Sequence, residues 1–313
     1  MYFPYLRGRQ FELIALRELV EMSLIGENVI PIVEPVKMSS TLVKTLSVFC
    51  ENDRRIALIL NPQVGSFELD KKEEKNGKNY DKFIETTKSK CVIPTHLMVE
   101  DSSRIISEWA HLGINRADEI IICTDEDFLD TYSECFTKES PIYTLIPDES
   151  EYRREIHNKR VMLADKFKKQ SRNTDYAKKE DEPFSNDHLY YKADGYVGFS
   201  DYSVIGHDYS DSGFAPYAVA IHIVYFDANE KLRVKHFVSD TNDDIHDPAA
   251  KFSEAVGKLV MWNQTEKLKT YGIQQLTEMN NNENYPGLGV VKKLSLMHHL
   301  ELMNNYLDRK KKQ

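Results

Sequence analysis

Much of what marks an enzyme or a membrane protein is missing from this chain of 313 residues. No HExxH, CxxC, GxSxG or GxxxxGK-S/T element occurs. Metalloprotease, dithiol, serine hydrolase and P-loop chemistries therefore lose their usual support. "GRQF" and "GLGV" are too short to read as nucleotide loops, and no glycine-rich phosphate fingerprint is present. The four cysteines, Cys50, Cys91, Cys123 and Cys135, have no zinc-knuckle spacing. Cys91 and Cys123 lie in apolar runs, where a reduced thiol behaves as a small hydrophobe. No segment approaches the roughly 18 uninterrupted apolar residues of a membrane span. Arg7, Arg9 and Glu12 interrupt the first apolar run, which argues against a signal peptide. A cytoplasmic, reducing location is the expectation. Positive charge is in deficit, with a net charge of -9, so polyanions are not the default partner. Two basic runs, 166–179 and 308–313, could override that average locally. Their ordinary reading is a solvated loop and a frayed end.

What is present is an ordinary globular composition, 41% hydrophobic and 29% charged, long enough for one large or two modest domains. Eight short apolar runs recur: "YFPYL" (2–6), "VIPIVEP" (29–35), "RIALILNP" (55–62), "CVIPTHLMV" (91–99), "EIIICTD" (119–125), "PIYTLIPD" (141–148), "RVMLADK" (160–166) and "GYVGFSD" (195–201). Most lack polar alternation, as strands buried on both faces do. Helical patterns lie between several of them. "QFELIALRELVEMSL" places Phe11, Ile14, Ala15, Leu19 and Met22 near one stripe, and "SSRIISEWAHLG" opens on a serine cap candidate. Strand and helix repeated about eight times predict a TIM-like (β/α)8 barrel, with an open parallel α/β sheet as the alternative.

Residues 1–206 are expected to form the barrel core, 207–240 an appended hairpin and 241–313 a helical region. The hairpin pairs "PYAVAIHIVYF" with "LRVKHFVSD" across "DANEK". His222 and His236 are placed near its opposite ends. Asp247 followed by Pro248 marks a helix start. The acidic loop 240–250 fails the calcium-hand spacing and reads as a helix-capping loop. The charged segment 167–194 is too long for an idle loop in a compact domain.

In an α/β barrel, function collects at the carboxyl ends of the strands. The register puts there Arg7 and Arg9, Glu34 and Lys37, Asn61 and Gln63, His96 and Glu100, Thr124 and Asp125, Asp148, Asp165 and Lys166, and Asp201 and Tyr202. Candidate catalytic residues are Glu34, Lys37, Asp165 and Asp201. Candidate ligand-binding residues are Arg7, Arg9, Asn61, His96 and Tyr202. Arginine offers a rigid fork for carboxylate or phosphate. A neighbouring Glu and Lys can shift each other's proton affinity. Glu34 sits between apolar residues and before Pro35, where a carboxylate needs a partner; Arg7, Lys37 or a ligand could supply it. His96 near carboxylates invites a divalent metal, but a hydrogen-bonded core histidine is the commoner outcome, and no metal or cofactor is assigned. Polar residues at strand ends are also the normal transition from core to loop.

"YFPYLRGRQFELIALREL", "IPIVEP", "GFSDYSVIG" and "VKHFVSD" resemble the beta-protein family of bacteria and phages, over residues 1 to about 240. The resemblance implies a chain often encoded near mobile or phage-defence genes, with no assigned catalytic residues. It draws attention to Arg7, Gly8, Arg9, Glu34, Asp201 and Tyr202, and to the loop whose Gly206 and Gly213 permit tight turns. Strands one and eight adjoin in a closed barrel, so Arg7 is expected to pair with Asp201.

Three functions follow as expectations. The first is a barrel that binds a protein partner, a second copy or a small anion, in a phage-defence setting. The second is a hydrolase or lyase acting on a phosphate or carboxylate compound. The third is a nucleic-acid-associated protein using the basic runs.

Overall fold

The computed structural model describes residues 1–73, 77–210 and 216–312; Gly213 lies outside them. Packing divides the chain into two compact units. The first comprises Met1–Leu13, Gly26–Ala164 and Asp187–Asp201, and the second Ile14–Ile25, Asp165–Asn186 and Tyr202–Gln313.

The strands in chain order are β1 (Tyr5–Leu6), β2 (Ile32–Val33), β3 (Ile56–Ile59), β4 (Val92–Leu97), β5 (Ile120–Ile122), β6 (Tyr143–Ile146), β7 (Arg160–Leu163), β8 (Asp181–Ser185), β9 (Gly198–Ser200), β10 (Ala220–Phe226) and β11 (Leu232–Val238). In the first unit, β1 to β7 and then β9 form one parallel sheet in that order. The register runs Tyr5↔Ile32, Ile32↔Ala57, Ala57↔Ile93, His96↔Ile121, Ile121↔Thr144, Leu145↔Val161 and Met162↔Phe199. The ring closes where Phe3 N donates to Phe199 O at 2.9 Å and Tyr5 N to Asp201 O at 2.9 Å. A TIM-like barrel is therefore present, and the open sheet is excluded. All eight apolar runs became its strands, because each must be buried on both faces: β3 and β5 are 0% exposed at every residue.

Helix α1 (Gln10–Glu21) begins in the first unit and continues in the second, and the barrel helices include α2 (Ser40–Glu51), α3 (Phe67–Glu73), α4 (Lys78–Thr87), α5 (Ser102–His111), α6 (Leu129–Cys135) and α7 (Ser150–Glu155). Ser39 Oγ caps α2 by accepting from Leu42 N at 3.2 Å. α1 buries Leu13, Ala15, Leu16, Leu19 and Val20, while Phe11 and Met22 are exposed, so the expected stripe is rotated. The sequence offers two overlapping apolar rows on that helix, and the leucine row won the core. The serine expected to cap α5 lies one residue inside it: Asp101 is the N-cap, and Ser102 Oγ accepts from Val99 N at 2.7 Å. Cys91 is not a free apolar thiol. It is joined to Cys50 by a disulfide with a Cα–Cα separation of 5.3 Å. Their separation of 41 residues hides in sequence what the fold brings together.

In the second unit, β10, β11 and β8 form an antiparallel sheet in that order. The expected hairpin is β10–β11, with Asp227 Oδ1 accepting from Asn229 N and Lys231 N in its turn. His222 and His236 are direct register partners, not residues at opposite ends, because each stands four positions from the last pair, Phe226↔Leu232. β8 arises within the charged 167–194 segment; its Pro183 is tolerated because β8 is an edge strand. The helices here are α9 (Pro248–Glu266), α10 (Tyr271–Asn281) and α11 (Leu288–Lys311), with a four-residue α8 (Asp187–Tyr190) belonging to the barrel unit. Asp247 caps α9 by accepting from Ala250 N at 3.0 Å, as its sequence implied. Among the described residues no helix is long and apolar enough to cross a membrane.

Candidate functional site at the barrel rim

The rim is built from the chain just beyond β1, β2 and β3. Gly8 turns there with φ +61°, and a Cβ on it would lie 3.0 Å from Glu34 O. That left-handed turn lets the chain pass close over the end of β2 and leaves Arg7 next to Glu34. Glu34 is 0% exposed and Arg7 6%. Their side chains form an ion pair through Arg7 Nη1 and Glu34 Oε2. Tyr5 OH donates to the same Oε2 at 2.7 Å, and the Arg7 guanidinium lies 5.1 Å from the Tyr5 ring centre. Gln63 N donates to Glu34 Oε1 at 2.8 Å. Asn61 ties the next strand in: its Nδ2 donates to Leu97 O at 2.7 Å, and its Oδ1 accepts from Leu97 N at 2.9 Å. Gly65, with φ +73°, packs the following turn onto residue 36, where a Cβ would fall 2.2 Å from Val36 O.

This arrangement has a definite electrostatic character. Glu34 is met by one cation, one hydroxyl and one backbone amide, so both of its oxygens are engaged. Such a carboxylate is held in place, with neither oxygen left open to a substrate. The fork of Arg7 faces Glu34. Lys37, three residues beyond Glu34, and Gln63, whose amide binds it, are exposed, and Arg9 is half-buried.

Sequence reasoning missed Glu12 as part of this region. It is 7% exposed and accepts from Arg9 N at 3.5 Å, the returning half of a capping box. Burial pushes its carboxyl up, against the lowering influence of Arg9 and Arg7. The spacing of Arg9 and Glu12 at the start of a helix was the available signal. Tyr5 carried none, being one aromatic within an apolar run.

Asp201 is 4% exposed, and its Oδ1 accepts from Tyr2 OH at 2.8 Å. Burial first, and then the Asp201 charge, raise the Tyr2 hydroxyl well above its usual range. Among the described contacts Arg7 is seated on Glu34 and Asp201 on Tyr2. His96 is 0% exposed, with Nε2 2.8 Å from Ser102 Oγ and its ring edge-on to Trp109 at 5.2 Å. Burial lowers it to about 4, so it stands as a neutral core imidazole packed on α5. Asp148 pairs with Arg153 and accepts from Tyr196 OH.

Asp165 and Tyr202 belong to the second unit. Asp165 clasps backbone, accepting from Phe167 N at 3.0 Å and from His207 N at 2.8 Å. Tyr202 is buried, edge-on to His207. That unit also holds a polar cluster that sequence reading did not assemble. His222 Nδ1 and His236 Nδ1 are 2.8 Å apart, and His236 Nε2 is 3.5 Å from Glu182 Oε1. Burial is the largest cause lowering both imidazoles; for His236 the Glu182 carboxylate works in the opposite direction. Among the described residues no group of three or more His, Cys, Asp or Glu side chains is placed to hold a metal ion.

Comparison with protein-family models, curated proteins and solved structures returns no match.

Proposed function

We propose that this chain is a binding protein built on a parallel barrel, which takes a protein partner or a small anionic ligand at the β1–β3 rim. Following the sequence resemblance, we place it with the beta-protein family, in a phage-defence setting. The observation that carries binding over turnover is the state of Glu34. It is buried and saturated by Arg7, Tyr5 and Gln63 N, so the best acid–base candidate serves to hold the rim together. Lys37, three residues beyond it, and Gln63, whose amide it accepts from, are exposed and are the groups through which the rim meets a ligand. The nucleic-acid reading has less support, since Lys168 and Lys178 of the basic run pair with Glu182 and Asp175.

The test is calorimetric titration of purified protein with inorganic phosphate and a panel of small phosphates and dicarboxylates, alongside the Lys37→Ala variant. Saturable binding that K37A weakens at least tenfold, without turnover, is the expected result for the anion. Consumption of any such compound that Glu34→Gln abolishes would replace this reading with a hydrolase or lyase. For the partner version, bacteria carrying the gene are challenged with phages. Plating efficiencies equal to those of cells without the gene would remove the defence setting.

A further inference from the structure

The barrel unit holds two cysteines whose chemistry the rim does not use. We propose that Cys50 and Cys91 are a reversible redox-modification site, cycling between disulfide and dithiol under control of small cellular thiols. Their Cα atoms are 5.3 Å apart, inside the disulfide range of roughly 4.4–6.8 Å. Each backbone is held by bonds that do not depend on the sulfur link. Cys50 lies in the last turn of α2, and its carbonyl accepts from Asp53 N at 3.2 Å. Cys91 opens the β3–β4 ladder, its carbonyl accepting from Ile56 N at 2.9 Å. Opening the disulfide therefore leaves both sulfurs facing each other, and closing it needs no refolding. Access separates this pair from the other thiols. Cys50 and Cys91 are only half-buried, whereas Cys123 and Cys135 are buried and free. Burial pushes the Cys123 thiol up to about 12, which makes it inert.

The exchange has a preferred direction. The thiolate of an incoming small thiol attacks Cys50 Sγ and forms a mixed disulfide. The Cys50–Cys91 bond breaks, and Cys91 leaves with the electron pair and takes up a proton. A second thiol molecule then attacks the mixed disulfide at the reductant's sulfur and frees Cys50 as a thiolate. The reductant ends as its own disulfide, and the protein has gained two electrons. Cys91 is the better leaving group. Its Sγ lies 3.4 Å from the Ser89 hydroxyl, which can donate to it, while Cys50 sits at the negative end of the α2 dipole. Disulfide glutathione reverses the cycle. The closed loop contains β3 and Gln63, whose amide holds Glu34, so oxidation restrains the segment that supports the rim.

The experiment equilibrates the native full chain in glutathione buffers over a range of potentials, quenches with acid, alkylates and measures mass. A single two-electron transition confined to Cys50 and Cys91, with a midpoint inside the glutathione range and a higher Tm for the oxidised form, is expected. Cys123→Ser should keep the transition and Cys50→Ser should lose it. A bond that persists in native protein under millimolar dithiothreitol would make it a permanent staple and overturn the proposal. A pair that stays reduced in disulfide glutathione would overturn it equally. Both outcomes are read on the wild-type chain, so poor folding of a variant does not obscure the result.

Discussion

Glu34 shows what a single residue does in this barrel. It has no exposed surface, and removing it would leave the Arg7 cation buried at 6% exposure with Tyr5 OH and Gln63 N stripped of their acceptor. Breaking a buried pair on one side costs about 3–5 kcal/mol. Glu34→Ala is therefore expected to lose about that much in a urea melt, whereas an apolar replacement of both partners, Arg7→Leu with Glu34→Leu, should recover a large part of it. A loss for E34A below about 1 kcal/mol would show that the pair is not the fastening described. The need for a partner was legible in sequence, because Glu34 lies between apolar residues and before a proline. Arg7 was one of the three partners foreseen. Tyr5 and the amide of Gln63 were not, since a backbone donor from the third strand end has no signature in side-chain chemistry. Asp165 and Tyr202 were read into the same ring because they follow strands seven and eight. Local backbone bonding claims Asp165, and burial claims Tyr202.

At the scale of elements, legibility followed burial. The eight barrel strands were visible because strands covered on both faces must be nearly all apolar. β8 was hidden because "DEPFS" has only two inward positions, Glu182 and Phe184, and a proline suited to an edge. The hairpin was visible through its turn and alternation. Its register makes partners of His222 and His236, which were placed near opposite ends; each stands four residues from the pair that closes the turn. Helix contacts leave a subtler trace. Gly272 opens α10 against α11, where a Cβ would sit 2.3 Å from Leu294 O and 3.1 Å from His298 N. Gly272→Ala must push the helices apart at a point where Thr270 Oγ1 meets His298 Nδ1 at 2.6 Å and His298 Nε2 meets Val224 O at 2.6 Å. The carbonyl can only accept, so Nε2 carries the proton and Nδ1 receives the Thr270 hydroxyl. Overpacking of this kind costs about 1–3 kcal/mol. Chemical denaturation should show it as a lowered midpoint, and an unchanged midpoint would mean that α10 and α11 can separate freely.

For the whole molecule, pH is the condition to which the buried polar groups respond together. Burial lowers His96 and His298 each to about 4, His222 well below its ordinary 6.5, and His236 in the same direction. Below about 6.5 the unfolded chain takes up protons that these folded imidazoles refuse. Stability must then fall as pH drops from about 6.5 towards 4, by about 1.4 kcal/mol per pH unit for each net proton. Glu119 works in the opposite sense. It is 1% exposed, and burial raises it to about 8, with Arg116 lowering and Glu139 raising it. Its folded form keeps a proton that the unfolded chain releases above its ordinary 4.5, so this contribution is whole below 4.5 and lost as pH climbs to about 8. Glu12 and Glu301, both raised chiefly by burial, add to that sense at their own lower end. The amine of Met1, lowered to about 6 by burial and then by Lys192, gives stability that rises with pH between about 6 and 8 and offsets Glu119 there. The four imidazoles outnumber the opposing carboxyls below 6.5. Thermal melts should therefore show a falling Tm from pH 6.5 to 4.5 and little change from 6.5 to 8. Glu119→Gln separates the two limbs: it should match the wild type at pH 4.5 and exceed it by several kcal/mol at pH 8, about 1.4 for each pH unit of the raised titration. A variant no more stable than wild type at pH 8 would mean that Glu119 is ionised in the folded barrel, with water or a cation reaching the oxygen that has no hydrogen-bond partner among the described residues.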